Sequence, residues 1–284
     1  MKQAILVVAF GSTVDTAREY HIDTVVSRIA EKFPDYEVRL AFSSRIIVKR
    51  LRDRGIHILT EQGALESLIA EGYTHVYVQP LHFTGGEEFD KLKRNILAHE
   101  GEGQLQVLRV GRPLVYYIGQ EEHPNDYQIL IDKFIKPLNI SKDDGLLFVG
   151  HGGLSSGNSS YGYLQYQLIR NGLGHVRVAT LENAPYVEDV ALPWEWMDGK
   201  RPNKIYVHPL LLVLGDHAQN DLFGDEEDSV INVLQDGGYD VEAMHQALGE
   251  YTSIQDIFCQ HVQDCIDDIY GKRSHHRPEI PTVK

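Results

Sequence analysis

The sequence predicts an α/β fold built as two similar doubly wound parallel-sheet halves that face each other across a cleft. Three observations predict it. Short apolar runs bounded by glycine alternate with stretches of helical periodicity, as in successive β-α-β units. Two strings recur: Val78-Gln79-Pro80-Leu81 matches Val207-His208-Pro209-Leu210 at an offset of 129, and Ala9-Phe10-Gly11 matches Gly150-His151-Gly152 at an offset of 141. Polar groups capable of chemistry follow several of the strand-like runs, which is where open parallel sheets collect ligands.

In chain order, Gln3 to Phe10 is a buried-type strand. It runs into Gly11-Ser12-Thr13 and a helix from about Asp15 to Phe33, with Ile22, Val25, Val26 and Ile29 at helical spacing. That turn is an anion-ready helix start, although serine and threonine there also serve as plain caps. Tyr36 to Phe42 is the second strand, and Ser43-Ser44 caps a helix on which Arg45, Lys49 and Arg52 share one face, either solvated or facing substrate carboxylates. A helix from Thr60 to Ala70 and a strand from Val76 to Leu81 follow. Gly86-Glu87-Glu88 then aligns with Gly215-Asp216-His217, so Glu88 faces His217 as an acid, a substrate contact or a helix-start carboxylate. A strand over Leu105–Val110 and a helix over Asn125–Lys136 lead to Pro137–Ser141, the expected boundary. It divides an N-terminal α/β domain, 1–140, from a C-terminal one, 141–270; the polar tail 271–284 is expected to be disordered, its His275-His276 able to catch stray metal.

Three strand ends in the second domain present matching groups. Gly145 to Val149 ends at His151. His175 to Leu181 ends at Glu182. The apolar run Leu210–Leu214, read as a strand, stops at Gly215 before Asp216 and His217. Taken alone, His217 reads as part of a capped turn before a solvated acidic helix. Two imidazoles and a carboxylate at one end of a parallel sheet instead form a borderline donor set for Co²⁺, Fe²⁺, Ni²⁺ or Zn²⁺.

Composition excludes other classes. A chain of 284 residues with 42% hydrophobic content can bury a large core. It has no run of bilayer length, and Ala4–Phe10 is too short for a leader, so a cytoplasmic protein with no membrane partner is expected. Cys259 and Cys265, the only cysteines, suit neither a disulfide framework nor a metal clip. A net charge of −14 argues against nucleic acid as a partner. The charge is uneven: residues 1–140 carry 17 basic and 19 acidic side chains, residues 141–284 carry 10 and 22. An acidic half concentrates cations, though much of this excess simply keeps a protein soluble. The sequence leaves a homo-oligomer open.

These strings resemble the anaerobic cobaltochelatases of cobalamin biosynthesis, members of the chelatase superfamily that insert Co²⁺ into sirohydrochlorin without ATP. The resemblance runs from V-V-A-F-G-S through V-Q-P-L-H-F-T-G-G-E-E-F and G-D-H-A-Q-N-D to L-G-E at Leu248–Glu250. It implies a chelatase-like fold with His151, Glu182 and His217 as metal ligands and catalytic residues, a tetrapyrrole between the halves and no organic cofactor. The substrate would meet Ser12, Thr13, Arg45, Glu88, Gly152 and Gly153, with Phe10 and Leu154 packed on the ring. Three departures stand out. The family pattern G-H-G-T-x-H-x-x-N-x-x-Y keeps Asn158 and Tyr161 but has Ser155 for its second histidine; Asn183 replaces a glycine and Val230 a tryptophan. Iron or nickel insertion into a related tetrapyrrole, or a non-catalytic metal or haem carrier, would use the same residues.

Overall fold

The computed structural model describes residues 1–191 and 201–270, so the tail 271–284 and its histidine pair lie outside the described residues. Nine strands form two wholly parallel sheets among these residues. The first contains β1 (Gln3–Ala9), β2 (Glu37–Phe42), β3 (Leu59–Thr60), β4 (His75–Pro80) and β5 (Val107–Val110), in the order β3-β2-β1-β4-β5. The second contains β6 (Gly145–Gly150), β7 (Val176–Thr180), β8 (Ile205–Pro209) and β9 (Val241–Ala243), in the order β7-β6-β8-β9. Ala4 to Ala9 are all fully buried, as a central strand covered by helices on both faces must be.

The register carries the internal duplication. Val8 pairs with Pro80 across β1 and β4, and Val149 with Pro209 across β6 and β8, which reproduces both repeat offsets. The next residues repeat as well: Leu81 N–H donates to Val8 O, and Leu210 N–H to Val149 O. Glycines with positive φ, Gly11 and Gly152, then turn the chain at matching places.

The helices of the first half are α1 (Asp15–Arg18), α2 (Thr24–Lys32), α3 (Arg45–Asp53), α4 (Glu61–Ala70), α5 (Glu87–Leu97) and α6 (Asp126–Leu130). A π-type turn, Glu19–Asp23, joins α1 to α2, so the helix expected from Asp15 is continuous but not regular. Ser44 and Thr60 cap α3 and α4, their hydroxyls accepting from Ile47 N–H (3.4 Å) and Gly63 N–H (3.2 Å). The second half adds α7 (Ser159–Arg170), α8 (Val187–Val190), α9 (Asp216–Phe223), α10 (Val230–Asp236) and α11 (Thr252–Asp267).

One expectation changes. Leu210–Leu214 is a loop, and the strand is the preceding Ile205–Pro209. The run is apolar because Leu210, Leu212 and Leu214 turn into the core, not because a ladder continues.

The last helices of the two halves are exchanged. Residues 141–270 were expected to form one unit, yet α11 packs on α2 and β4 of the first half. There Asp256 pairs with Arg28 at 2.8 Å, and Asp264 with buried Arg112, also at 2.8 Å. In return α6 and its continuation through Ile131–Ile135 pack on the second half. Tyr127 meets Tyr163 with ring centroids 4.7 Å apart, and Phe134 meets Phe148 at 5.9 Å and His208 at 5.6 Å. One hydrophobic cluster consequently runs from Ile5 and Val7 through Phe134 to Phe148 and Phe258. Among the described residues no helix is long and apolar enough to cross a membrane.

Candidate functional site

The segments that follow β1, β4, β6, β7 and β8 converge on a cleft of about 730 Å³ between the two sheets. Its floor is a close contact between the halves. A Cβ on Gly157 would lie 2.5 Å from Gly85 O, and the rings of Phe83 and Tyr161 stack at 5.5 Å.

His151 follows the end of β6 in a turn whose residue types are dictated by neighbours. A Cβ on Gly150 would come within 2.3 Å of the Tyr161 ring, so only glycine lets that ring pack beneath the strand end. Asn158 bolts this turn to the one after β7: its Oδ1 accepts from Gly153 N–H (3.1 Å) and its Nδ2 donates to Ala184 O (2.6 Å). Just past the ladder, where Leu181 N–H donates to Gly150 O at 3.0 Å, Glu182 N–H donates to His151 O at 2.9 Å and ties the two turns together. His151 and Glu182 therefore stand side by side, with Nδ1 and Oε2 3.5 Å apart and both side chains more than half exposed.

His217 is the second residue of α9 after the N-cap Gly215, as Glu88 is the second residue of α5 after Gly86. Both line the cleft. The duplication thus gives one half two imidazoles and a carboxylate, and the other Phe10 and Glu88 at the equivalent places. His217 is not drawn onto the His151–Glu182 pair: among the described residues no three His, Cys, Asp or Glu side chains stand close enough together to hold a metal ion.

Of the residues expected to meet substrate, Phe10, Ser12, Thr13, Glu88, Gly152, Gly153 and Leu154 line the cleft. Phe10 is 52% and Leu154 92% exposed, leaving their apolar faces to the cavity. Ser12 is buried, and its hydroxyl accepts from Val14 N–H at 3.1 Å, the turn-capping role. Arg45 does not line the cleft; it donates to Gln62 Oε1 at 3.1 Å on the other side of α3. Arg50 lines it instead, together with Ile47 three residues earlier. An i, i+3 pairing of Ile47 with Arg50 was the signal available in the sequence.

The cleft is otherwise acidic, lined by Glu87, Glu88, Glu182, Asp216 and Asp221. His82, not singled out from the sequence, also lines it with both ring nitrogens buried and unpartnered, and burial lowers its pKa to about 4. It is a neutral wall.

The departures from the family pattern have local accounts. Ser155 accepts from Gly157 N–H (3.3 Å), and its hydroxyl lies 3.3 Å from where a Cβ on Gly86 would stand, so it fills the seam between the halves. Asn183 O accepts from the Thr180 hydroxyl, closing the turn after β7. Val230 opens α10 and is buried in the second half's own hydrophobic cluster.

Residues 3–267 match the model of a family described as cobalt chelatase (CbiK). The chain is 30% identical over 278 residues to the sirohydrochlorin cobaltochelatase of Salmonella typhimurium, covering 94% of this chain and 97% of that one. It is also 30% identical over 261 residues to the sirohydrochlorin cobaltochelatase CbiKC of Nitratidesulfovibrio vulgaris, covering 92% and 89%. Among solved structures it resembles SirB from Bacillus subtilis with Fe³⁺, at a TM-score of 0.63 and 15% identity over 96% of this chain and 98% of that one. It also resembles CbiX, the terminal enzyme of siroheme biosynthesis in denitrifying bacteria, at 0.51 and 16% over 92% and 98%. At those identities the structural likeness speaks for the fold.

Proposed function

Because the chain belongs to the CbiK cobalt chelatase family, we propose that it inserts Co²⁺ into sirohydrochlorin, without ATP, in cobalamin biosynthesis. The observation that carries this reading is the pairing of His151 with Glu182 at two adjacent strand ends, 3.5 Å apart, in the cleft that His217 also lines.

In this reading Co²⁺ is a substrate. His151 and Glu182 receive it, and His217, which lines the same cleft but stands off the pair, moves in to supply the third donor, an N/N/O set that leaves coordination positions open for the incoming macrocycle. Iron, nickel and zinc are compatible with the same donors, so the acidic cleft gathers divalent cations without choosing among them. The tetrapyrrole enters edge-on, its faces against Phe10 and Leu154, and part of its carboxylate periphery meets Thr13 and the Gly152-Gly153 turn.

Insertion exchanges two pyrrole N–H protons for one metal ion. Each ring nitrogen that bonds the metal displaces a water or a protein donor, and an imidazole that releases the metal becomes a free base. His151 takes one proton in this way, and Glu182 passes the second to solvent through the open side of the cleft.

The test is anaerobic insertion of Co²⁺ into sirohydrochlorin, followed by absorbance, for the parent and His217→Ala. Multiple turnovers in the parent, reduced at least about a hundredfold in the variant, are expected for loss of a metal ligand. Stoichiometric binding of metal or porphyrin without turnover would replace the enzyme reading with a carrier. Turnover with Fe²⁺ or Ni²⁺ alone would change the metal.

A further inference from the structure

The Leu248-Gly249-Glu250 string has no part in the mechanism above, yet it is built into the approach to His217. The loop Leu210–Leu214 leads directly to Gly215, Asp216 and His217, so the position of the loop sets the position of that imidazole. Leu211 O accepts from Leu248 N–H at 2.9 Å, and Leu212 O from Gly249 N–H at 3.2 Å. Leu214 N–H crosses to the other half and donates to His21 Nδ1 at 3.2 Å.

His21 comes from the π-type turn Glu19–Asp23. A backbone N–H can only donate, so Nδ1 accepts and the proton of the neutral ring sits on Nε2. That nitrogen points at Glu250 Oε1, 3.2 Å away, and the same oxygen accepts from Ala247 N–H at 2.8 Å. Burial outweighs the carboxylate and keeps His21 in its neutral form. The glycine of the string is obligatory, since a Cβ on Gly249 would stand 1.9 Å from His21 O.

We propose that His21 and Glu250 are positioning residues for metal capture: Glu250 selects the His21 tautomer, and His21 Nδ1 holds the Leu214 amide so that His217 starts α9 opposite His151 and Glu182. The proposal rests on the reading of His217 as a metal ligand. It resembles the outer-shell hydrogen bonds that orient metal-ligating groups, acting here through backbone.

The test uses the full chain and Co²⁺ alone, titrated anaerobically by its visible absorption, followed by steady-state insertion. His21→Leu is expected to weaken Co²⁺ binding and lower kcat by about tenfold, the lower end of what outer-shell changes cost, with KM for the tetrapyrrole unchanged. His21→Asn, whose Oδ1 takes the place of Nδ1, is expected to recover most of the loss. Parent-like binding in His21→Leu, or equal impairment in both variants, would overturn the proposal. Should His21→Leu lose the fold, Glu250→Gln against Glu250→Ala carries the same comparison, because only glutamine keeps the acceptor for Nε2–H. His217→Ala is the reference. If it leaves Co²⁺ affinity intact, the metal-ligand reading itself fails; if it loses affinity while the His21 pair does not, only the positioning role falls.

Discussion

Arg50 is the single lysine or arginine among the described residues that line the cleft, and its guanidinium forms no ion pair or hydrogen bond with any described residue. Its neighbours on α3 and nearby are engaged: Arg45 with Gln62, Lys49 with Asp53, Arg54 with Asp15. A polycarboxylate entering a cleft lined by five carboxylates needs at least one compensating cation, and Arg50 is placed to be it. Arg50→Ala should raise KM for the tetrapyrrole about three- to tenfold, the range between an exposed ion pair and a charge-assisted hydrogen bond. Neither kcat nor Co²⁺ affinity should change; steady-state kinetics at varied tetrapyrrole would show it, and an unchanged KM would remove Arg50 from the substrate's path. The sequence marked Arg45 because helical spacing groups charges into faces without saying which face looks inward. Successive helix residues are about 100° apart, so the phase has to come from what α3 packs against. The strand-end residues escape this ambiguity. A polar group that follows a buried parallel strand can lie only at one edge of the sheet.

At the level of elements, the helices depart furthest from chain order. Phe134 is 1% exposed, comes from the first half, and packs against Phe148, His208 and Tyr251 of the second. Phe134→Ala should cost about 3–5 kcal/mol, as for other large buried aromatics, read as a fall in the midpoint of denaturant unfolding. A much smaller loss would mean that the halves are held together elsewhere. The exchange of α6 and α11 was not legible because an amphipathic helix declares that it has an apolar face, not which sheet will cover it. The loop Leu210–Leu214 misled for a related reason. A short apolar run is as consistent with a strand as with a loop whose alternate leucines are buried.

For the molecule as a whole, the shared core makes stability depend on pH. His208 is fully buried between the halves, its Nδ1 within hydrogen-bond distance of Pro209 O (2.8 Å) and its Nε2 within hydrogen-bond distance of the Tyr251 hydroxyl (2.8 Å). Burial lowers its pKa to about 4, lowers that of His82 likewise, and lowers that of His261 well below its ordinary value. In the unfolded chain these rings take up protons near pH 6.5, whereas the folded protein holds them neutral. Their contribution is therefore complete above about pH 6.5 and declines as the pH falls toward 4, by about 1.4 kcal/mol per pH unit for each histidine. Thermal melts at pH 7, 6 and 5 should show the midpoint dropping progressively, with less dependence in His208→Gln. A midpoint that stays flat to pH 5 would contradict the neutral-core account.

By itself the sequence determined the parallel α/β class, the duplication and the strand-end positions of His151 and Glu182, because periodicity, repeats and strand ends are local properties of a chain. Only the tertiary structure decided that each half lends its last helix to the other, that Arg50 rather than Arg45 faces the cleft, and that His21 steadies the loop leading to His217. Those outcomes rest on contacts such as Arg28 with Asp256 and His21 with Leu214, between residues 228 and 193 positions apart. Such pairs leave no periodic trace, since what selects them is how much apolar surface and how many buried polar groups the two halves can satisfy together.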